Sequence, residues 1–68
     1  MHYIGELTPR QLEVMQLYAN GGSRRNIAKE LFITEETVKS HVKEIKLRLS
    51  APTITAAVVV ALRKGLIN

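Results

Sequence analysis

The sequence predicts an all-α fold, a four-helix bundle, from three observations. Apolar residues recur at intervals of three and four, the spacing of a helix with one buried face. Each periodic segment follows a Ser or Thr that can cap a helix, and Gly or Pro interrupts the pattern between segments at residues 21–22 and 52. No convincing strand pattern occurs. The 68 residues are therefore predicted to form a single domain over residues 1–68, with a core of about residues 7–67.

The first helix is predicted to begin after Thr8 and to stop at residues 20–22. Thr8 can cap it, and Pro9 suits the first helical position because the missing amide proton is not needed there. Gln11 can complete a capping box with Thr8. Glycine at the other end readily takes the left-handed conformation of a helix C-terminus.

The second and third helices are predicted to form a helix-turn-helix. Helix two covers roughly residues 23–31, and only Phe32 and Ile33 separate it from Thr34, the predicted N-cap of helix three. Glu35 and Glu36 then lie in the first turn, where the helix dipole favours acids. Such a short apolar link makes the two helices pack at a steep angle.

Helix three, about residues 35–49, has two unlike faces. One apolar stripe repeats at spacings of four, three and four, and it consists of Val38, Val42, Ile45 and Leu49. A row of lysines follows the same spacing about 100° around the helix, and it consists of Lys39, Lys43 and Lys46. Leu47 projects from the side opposite the stripe. A helix that is packed behind and basic in front is suited to the major groove of DNA.

Helix four is predicted to run from the Thr53 cap to about Lys64, with Gly65 ending it. Its inward stripe is predicted to contain Ile54, Ala57, Val58, Ala61 and Leu62. Val59 and Val60 lie off that stripe. Beside Ala56 they form a small apolar patch that a twofold-related copy of the chain could cover.

Composition excludes several classes of function. The chain has no cysteine, and its two histidines, His2 and His41, are too far apart in sequence to make a metal site alone. We identify no catalytic group, cofactor or small-molecule substrate, and we expect no enzymatic activity. No signal peptide or membrane span is apparent, so we expect a cytoplasmic protein. The net charge of +4 favours a polyanionic partner.

Arg24 and Arg25 break a local rule, because they lie in the first turn of helix two, where the dipole disfavours cations. A DNA phosphate beside that helix end would be held by both arginines and by free amide groups, so we predict phosphate contacts for both. The alternative is that the two long side chains bend away into solvent.

Four runs of the sequence resemble the C-terminal DNA-binding domain of LuxR-type transcriptional regulators, the GerE-like helix-turn-helix. These runs are LTPRQLEV at residues 7–14, IAKEL at 27–31, TVKSHV at 37–42 and GLI at 65–67. The resemblance covers roughly residues 7–67 without gaps. It implies a four-helix domain of a bacterial regulator at the nucleoid that binds double-stranded DNA as a dimer. Because the interface on helix four would be small, we expect a weak homodimer. RNA polymerase is a further candidate partner.

The resemblance also implies roles for individual residues. The predicted base contacts are Lys39, Ser40 and Lys43. The predicted phosphate contacts, besides the two arginines, are Thr34, Thr37 and Lys46. Helix four becomes the dimerisation helix, and its predicted interface residues are Ala56, Val59, Val60 and Arg63. The plain alternative for the lysines is a solvated helix face.

Three alternatives concern the protein as a whole. Regulators of this family usually carry a receiver or ligand-sensing domain upstream, so the chain is either an excised domain or a standalone protein. A sigma-factor region-4-like domain would share the capped first helix and the helix-turn-helix. A protein-interaction module would instead use helix four to sequester full-length regulators without reading DNA.

Overall fold

Four α-helices form the part of the chain that the structure, a computed structural model, describes, which is residues 7–68. They are α1 (Pro9–Ala19), α2 (Arg24–Leu31), α3 (Glu35–Arg48) and α4 (Ile54–Arg63). Residues 1–6, which include His2, lie outside the described residues. Residues 7–68 contain no strand. The predicted all-α fold is confirmed.

Every helix begins at a hydroxyl side chain that caps it. In each case the capping oxygen accepts the backbone N–H of the residue three positions later, at 3.0 to 3.1 Å. These caps are Thr8, Ser23, Thr34 and Thr53. The Thr8 N–H also donates to the Gln11 side chain at 3.0 Å, so the predicted capping box is present. The helix starts are therefore fixed by residues next to them in sequence.

The core lies where α1 and α3 cross, because each of these helices contacts the other three. By contrast, α2 and α4 do not contact each other. The largest fully buried side chains come from α1, α2 and α3, and they are Val14, Met15, Ile27, Val38 and Ile45. Ala57 and Ala61 bring α4 close to this core because their side chains are small. Thus α2 and α4 lie on different sides of the bundle, with α1 and α3 between them.

All four helices end in the same hydrogen-bond pattern. An amide beyond the helix end donates to the carbonyl five residues earlier, as Gly22 does to Leu17 and Ala51 does to Lys46, both at 2.9 Å. The residue before that amide has positive φ, as the Schellman motif requires. These residues are Gly21 (95°), Phe32 (58°), Ser50 (52°) and Gly65 (72°). Two of the four are therefore not glycine, and Phe32 is 94% exposed.

The predicted inward stripe of α4 is wrong at one position. Ala57 and Ala61 are fully buried, and Ile54 and Val58 pack against the core, but Leu62 is 45% exposed. Leu62 follows Ala61 by about 100° of helix rotation, which turns its side chain away from the core. Ile67, beyond Gly65, is buried.

Gln16 holds the segment that follows α4, a role that the sequence did not suggest. Its side-chain oxygen accepts the Asn68 N–H at 2.9 Å, and its amide donates to the Asn68 carbonyl at 3.1 Å. These bonds join positions 52 residues apart. They tie the residue after the buried Ile67 to α1, and no local sequence signal could have indicated them.

Replacing Ser50 or Phe32 by glycine should stabilise the domain. An L-residue in the left-handed conformation loses about 1–2 kcal/mol, and the extra freedom of glycine in the unfolded chain offsets about 0.4–1 kcal/mol of that gain. We expect Ser50→Gly and Phe32→Gly each to raise the free energy of unfolding by about 0.5–1 kcal/mol in urea denaturation.

The matched control is Gly65→Ala, which introduces the same strain at the end of α4, where a new Cβ would meet no atom within 4 Å. It should lower the free energy of unfolding by about 1 kcal/mol or more. Loss of stability in both glycine variants would contradict this account of the helix ends.

Candidate nucleic-acid interface

The outward face of α3 is polar and basic, and its inward face is buried in the core. Val38 and Ile45 point into the core, while Lys39, Ser40 and Lys43 are exposed. The burial of the stripe fixes the rotation of the helix about its axis, because turning it would expose both core residues. The predicted row of lysines therefore has a definite direction, although Lys46 is half-buried.

An open groove runs along this face, with a volume of about 580 Å³. The first turn of α2 contributes Arg24, and α3 contributes the rest of the lining. These α3 residues are Glu36, Lys39, Ser40, Val42, Lys43 and Lys46. All three predicted base-contacting residues thus share one surface with two of the predicted phosphate-contacting residues. Arg25, Thr34 and Thr37 do not line the groove.

Thr34 and Thr37 are tied to each other at the start of α3. The Thr37 N–H donates to the Thr34 hydroxyl at 3.1 Å, and the two hydroxyl oxygens lie 2.9 Å apart as a hydrogen-bonded pair. Thr34 is exposed and Thr37 is half-buried. Their first role is therefore to cap the helix, and a ligand at this end would share hydroxyl groups that already bond within the chain.

Arg24 has a partner inside the protein. Its Nε atom lies 3.6 Å from a Glu35 carboxylate oxygen, and the two side chains are 51% and 52% exposed. The sequence suggested only phosphate or solvent for Arg24, and it placed Glu35 solely in relation to its own helix dipole. The ion pair links the first turns of α2 and α3. At this exposure it adds little to stability, but it holds the guanidinium beside the groove.

The same arginine affects Tyr18 near the end of α1. Burial raises the pKa of the Tyr18 phenol, and the positive charge of Arg24 opposes that rise. Arg24, a residue of α2, therefore interacts electrostatically with Tyr18 of α1 and with Glu35 of α3. Arg25 next to it is exposed and makes no ion pair within residues 7–68. The neighbouring arginines therefore differ in environment, which sequence position alone did not indicate.

Glu44, the acid in the middle of α3, is paired within its own helix. The Arg48 Nε atom donates to its carboxylate at 3.2 Å across one turn. Acid followed by base at this spacing is the favourable order for a helix. Much of the negative charge of Glu44 is therefore offset before any polyanion approaches.

The exposed face of α4 lies away from this groove. Val59 is 41% exposed, Arg63 is exposed, and Ala56 and Val60 are half-buried. The exposed Leu62 extends the apolar part of the surface. Spacings of three and four residues place the predicted interface residues on one side of α4, and Leu62 lies at the edge of that side.

Residues 7–68 contain neither a cluster of metal ligands nor a membrane-spanning helix. Within residues 7–68, no group of three or more His, Cys, Asp or Glu side chains is placed to hold a metal ion. None of the four described helices is both long and apolar enough to span a membrane.

Comparison with known proteins identifies relatives of this chain. The sequence pattern of a family described as bacterial regulatory proteins, luxR family, matches residues 5–61. The chain is 44% identical over 62 residues to the transcriptional regulatory protein LiaR of Bacillus subtilis. It is 48% identical over 62 residues to RpaR of Rhodopseudomonas palustris, a quorum sensing-dependent transcriptional regulator of HTH type.

These matches cover 91% of this chain but only 29% of LiaR and 26% of RpaR. The chain therefore spans less than a third of the length of either relative. A solved structure of the transcription factor GerE is similar over almost its full extent. It superposes with a TM-score of 0.87 at 31% identity, covering 91% of this chain and 92% of that one.

Proposed function

This chain belongs to the luxR family of bacterial regulatory proteins, and we propose that it is a sequence-specific DNA-binding transcriptional regulator. In this proposal α3 lies in the major groove of double-stranded DNA and reads base edges. The relatives LiaR and RpaR are named as transcriptional regulators, which supports the assignment.

The observation that supports the proposal best is the groove along α3. It combines the cations of Arg24 and three lysines with the small polar side chain of Ser40 on an open surface. A solvated helix face would leave lysines exposed, but it would not require a cation from a second helix beside them. Phosphate neutralisation by several cations is the main source of affinity for DNA.

The proposed roles follow from position in the groove. Lys39, Ser40 and Lys43 lie on the exposed face of α3 and are proposed to contact base edges. The proposed phosphate contacts lie around them, at Arg24, Arg25, Thr34, Thr37 and Lys46. In this arrangement the first turns of α2 and α3 approach the DNA backbone, and their free amides add to the binding of phosphate.

Lys43→Ala tests whether the groove reads sequence. The purified chain is first used to select duplexes from a random-sequence pool. If Lys43 donates to a base edge, Lys43→Ala should lower affinity for the selected duplex by about 1–3 kcal/mol and lower affinity for a scrambled duplex less. Titration by fluorescence anisotropy measures both affinities.

Lys29→Ala is the matched control, since Lys29 is an exposed lysine of α2 that does not line the groove. It should weaken binding to both duplexes only slightly. If Lys43→Ala lowers both affinities equally, Lys43 is a phosphate contact. A wild-type chain that enriches no duplex would refute the proposed function.

Arg24→Ala tests the phosphate contact of the second helix. Each neutralised phosphate contributes about −0.9 to the slope of log affinity against log salt concentration. The variant should flatten the slope by about that amount while keeping its preference for the selected duplex. Arg10→Ala removes the same charge from α1, where Arg10 pairs with Glu13 at 3.3 Å, and should leave the slope unchanged. Equal slopes for wild type and Arg24→Ala would remove Arg24 from the contacts.

We propose further that the DNA-bound form is a weak homodimer joined through α4. The exposed Val59 and the neighbouring Leu62 support this, because neither contributes to the core of its own domain. One short helix buries little area, so association without DNA should be weak. Two linked half-sites would raise the effective concentration of the second copy and make binding cooperative.

The same face supports a second candidate function, in which α4 pairs with full-length regulators of the family and sequesters them. This function needs the exposed apolar residues of α4 but not the basic groove. The two functions differ in whether the purified chain binds DNA alone, which the selection experiment decides.

Val59→Glu tests the α4 interface. The variant should keep its helical circular dichroism spectrum and its affinity for a single half-site, because Val59 lies outside the core. It should lose cooperative binding to a duplex with two half-sites, since two glutamates would face each other across the twofold axis. Retained cooperativity would show that the interface lies elsewhere.

A further inference from the structure

Leu47 is a large apolar side chain that the fold does not use. It is 67% exposed, whereas Val38 and Ile45 of the same helix are fully buried. It neither belongs to the core nor packs against it. Since the opposite face of α3 supplies the buried residues Val38 and Ile45, packing of the core does not explain a leucine at this position.

The helical geometry places Leu47 in line with the proposed base-contacting residues. Leu47 follows Ser40 by seven residues, which leaves it about 20° from Ser40 around the axis. It follows Lys43 by four residues, a further rotation of about 40° and a rise of about 6 Å. The outermost line of α3 therefore consists of Ser40, Lys43 and Leu47. Lys43 and Leu47 are one helical turn apart.

The surroundings of Leu47 are basic. Together with Lys43 and Lys46 it lines an open groove of about 660 Å³, whose far side is formed by residues 50–52. An apolar side chain with two lysines beside it matches a partner that offers negative charge next to an apolar group. The major groove of DNA has this pattern, because phosphates flank it and the C5 methyl of thymine projects into it.

We propose that Leu47 contacts a thymine methyl group in the major groove, one helical turn beyond the base contact of Lys43. Leu47 is then a specificity-determining residue that adds apolar recognition to the polar contacts of Ser40 and Lys43. This inference rests on the proposed function, and it adds to it a preferred base and the position of that base relative to Lys43. Burial of one methyl group is worth about a fourfold change in affinity.

Replacement of thymine by deoxyuridine tests this contact, because it removes only the C5 methyl. Each thymine of the selected duplex is replaced in turn, and affinities are measured for wild type, Leu47→Ala and Leu47→Met. Wild type should lose about fourfold in affinity at one position. Leu47→Ala should bind the unmodified duplex about as weakly as wild type binds the modified one, and it should be insensitive to replacement there.

Leu47→Met is the matched control, since methionine keeps an apolar side chain of similar volume and should retain sensitivity to the same replacement. Circular dichroism verifies that the variants fold, as expected for an exposed position. The Leu47 contact is overturned if wild type binds its selected duplex but no replacement weakens binding. It is also overturned if Leu47→Ala stays equally sensitive or binds with unchanged affinity.

The failure of the proposed function would look different. A wild-type chain that selects no duplex would refute DNA reading as a whole, and the Leu47 contact with it. A selected duplex without any thymine would overturn the Leu47 contact and leave DNA reading intact.

Discussion

The complete burial of one face of α3 is the constraint on which the rest of the structure depends. Val38 and Ile45 of this helix are fully buried in the core, and α1, α2 and α4 all pack against α3. A recognition surface needs side chains at fixed positions, because a misplaced donor loses its hydrogen bond. The packed face supplies this rigidity, so the polar face keeps a fixed orientation although it consists of exposed lysines.

The second requirement is that short connections turn the chain between successive helices, and the helix ends meet this requirement. A hydroxyl cap accepts one backbone N–H at each helix start, and a left-handed residue redirects the chain after each helix. Phe32 and Ser50 occupy two of these left-handed positions without being glycine. Both flank α3, so the helix proposed to read DNA is bounded by turns that store conformational strain.

Local features of this fold could be predicted from sequence, and long-range features could not. The caps at Thr8 and Thr34, the capping box and the faces of α3 depend on residues within one or two turns of each other, so their spacing was sufficient. The bonds between Gln16 and Asn68 depend on contacts between distant positions. Leu62 was predicted to face the core because it is apolar and next to Ala61. The rotation of about 100° between consecutive helical residues instead turns its side chain away from the core.

For the candidate site, the row of lysines was predictable from helical spacing, whereas its environment was not. The pairing of Arg24 with Glu35 depends on how α2 and α3 cross, and the sequence alone does not give the angle between two helices. The same holds for the groove that joins Arg24 to the lysines. The position of Leu47 opposite the stripe predicted its exposure. Helical spacing also aligns it with Ser40 and Lys43, but only the structure shows the groove that Leu47 shares with Lys43 and Lys46.

The distribution of acids completes the electrostatic picture of this surface. Glu13, Glu35 and Glu44 each have an arginine partner, so much of their charge is offset locally. Glu36 has no ion pair within residues 7–68 and lines the basic groove in the first turn of α3. In the proposed complex an acid there would repel phosphate, and its carboxylate would be able to accept a hydrogen bond from the amino group of a base such as cytosine. We therefore expect Glu36 to lower affinity for DNA in general while allowing a site of the right sequence, which would increase discrimination between sequences.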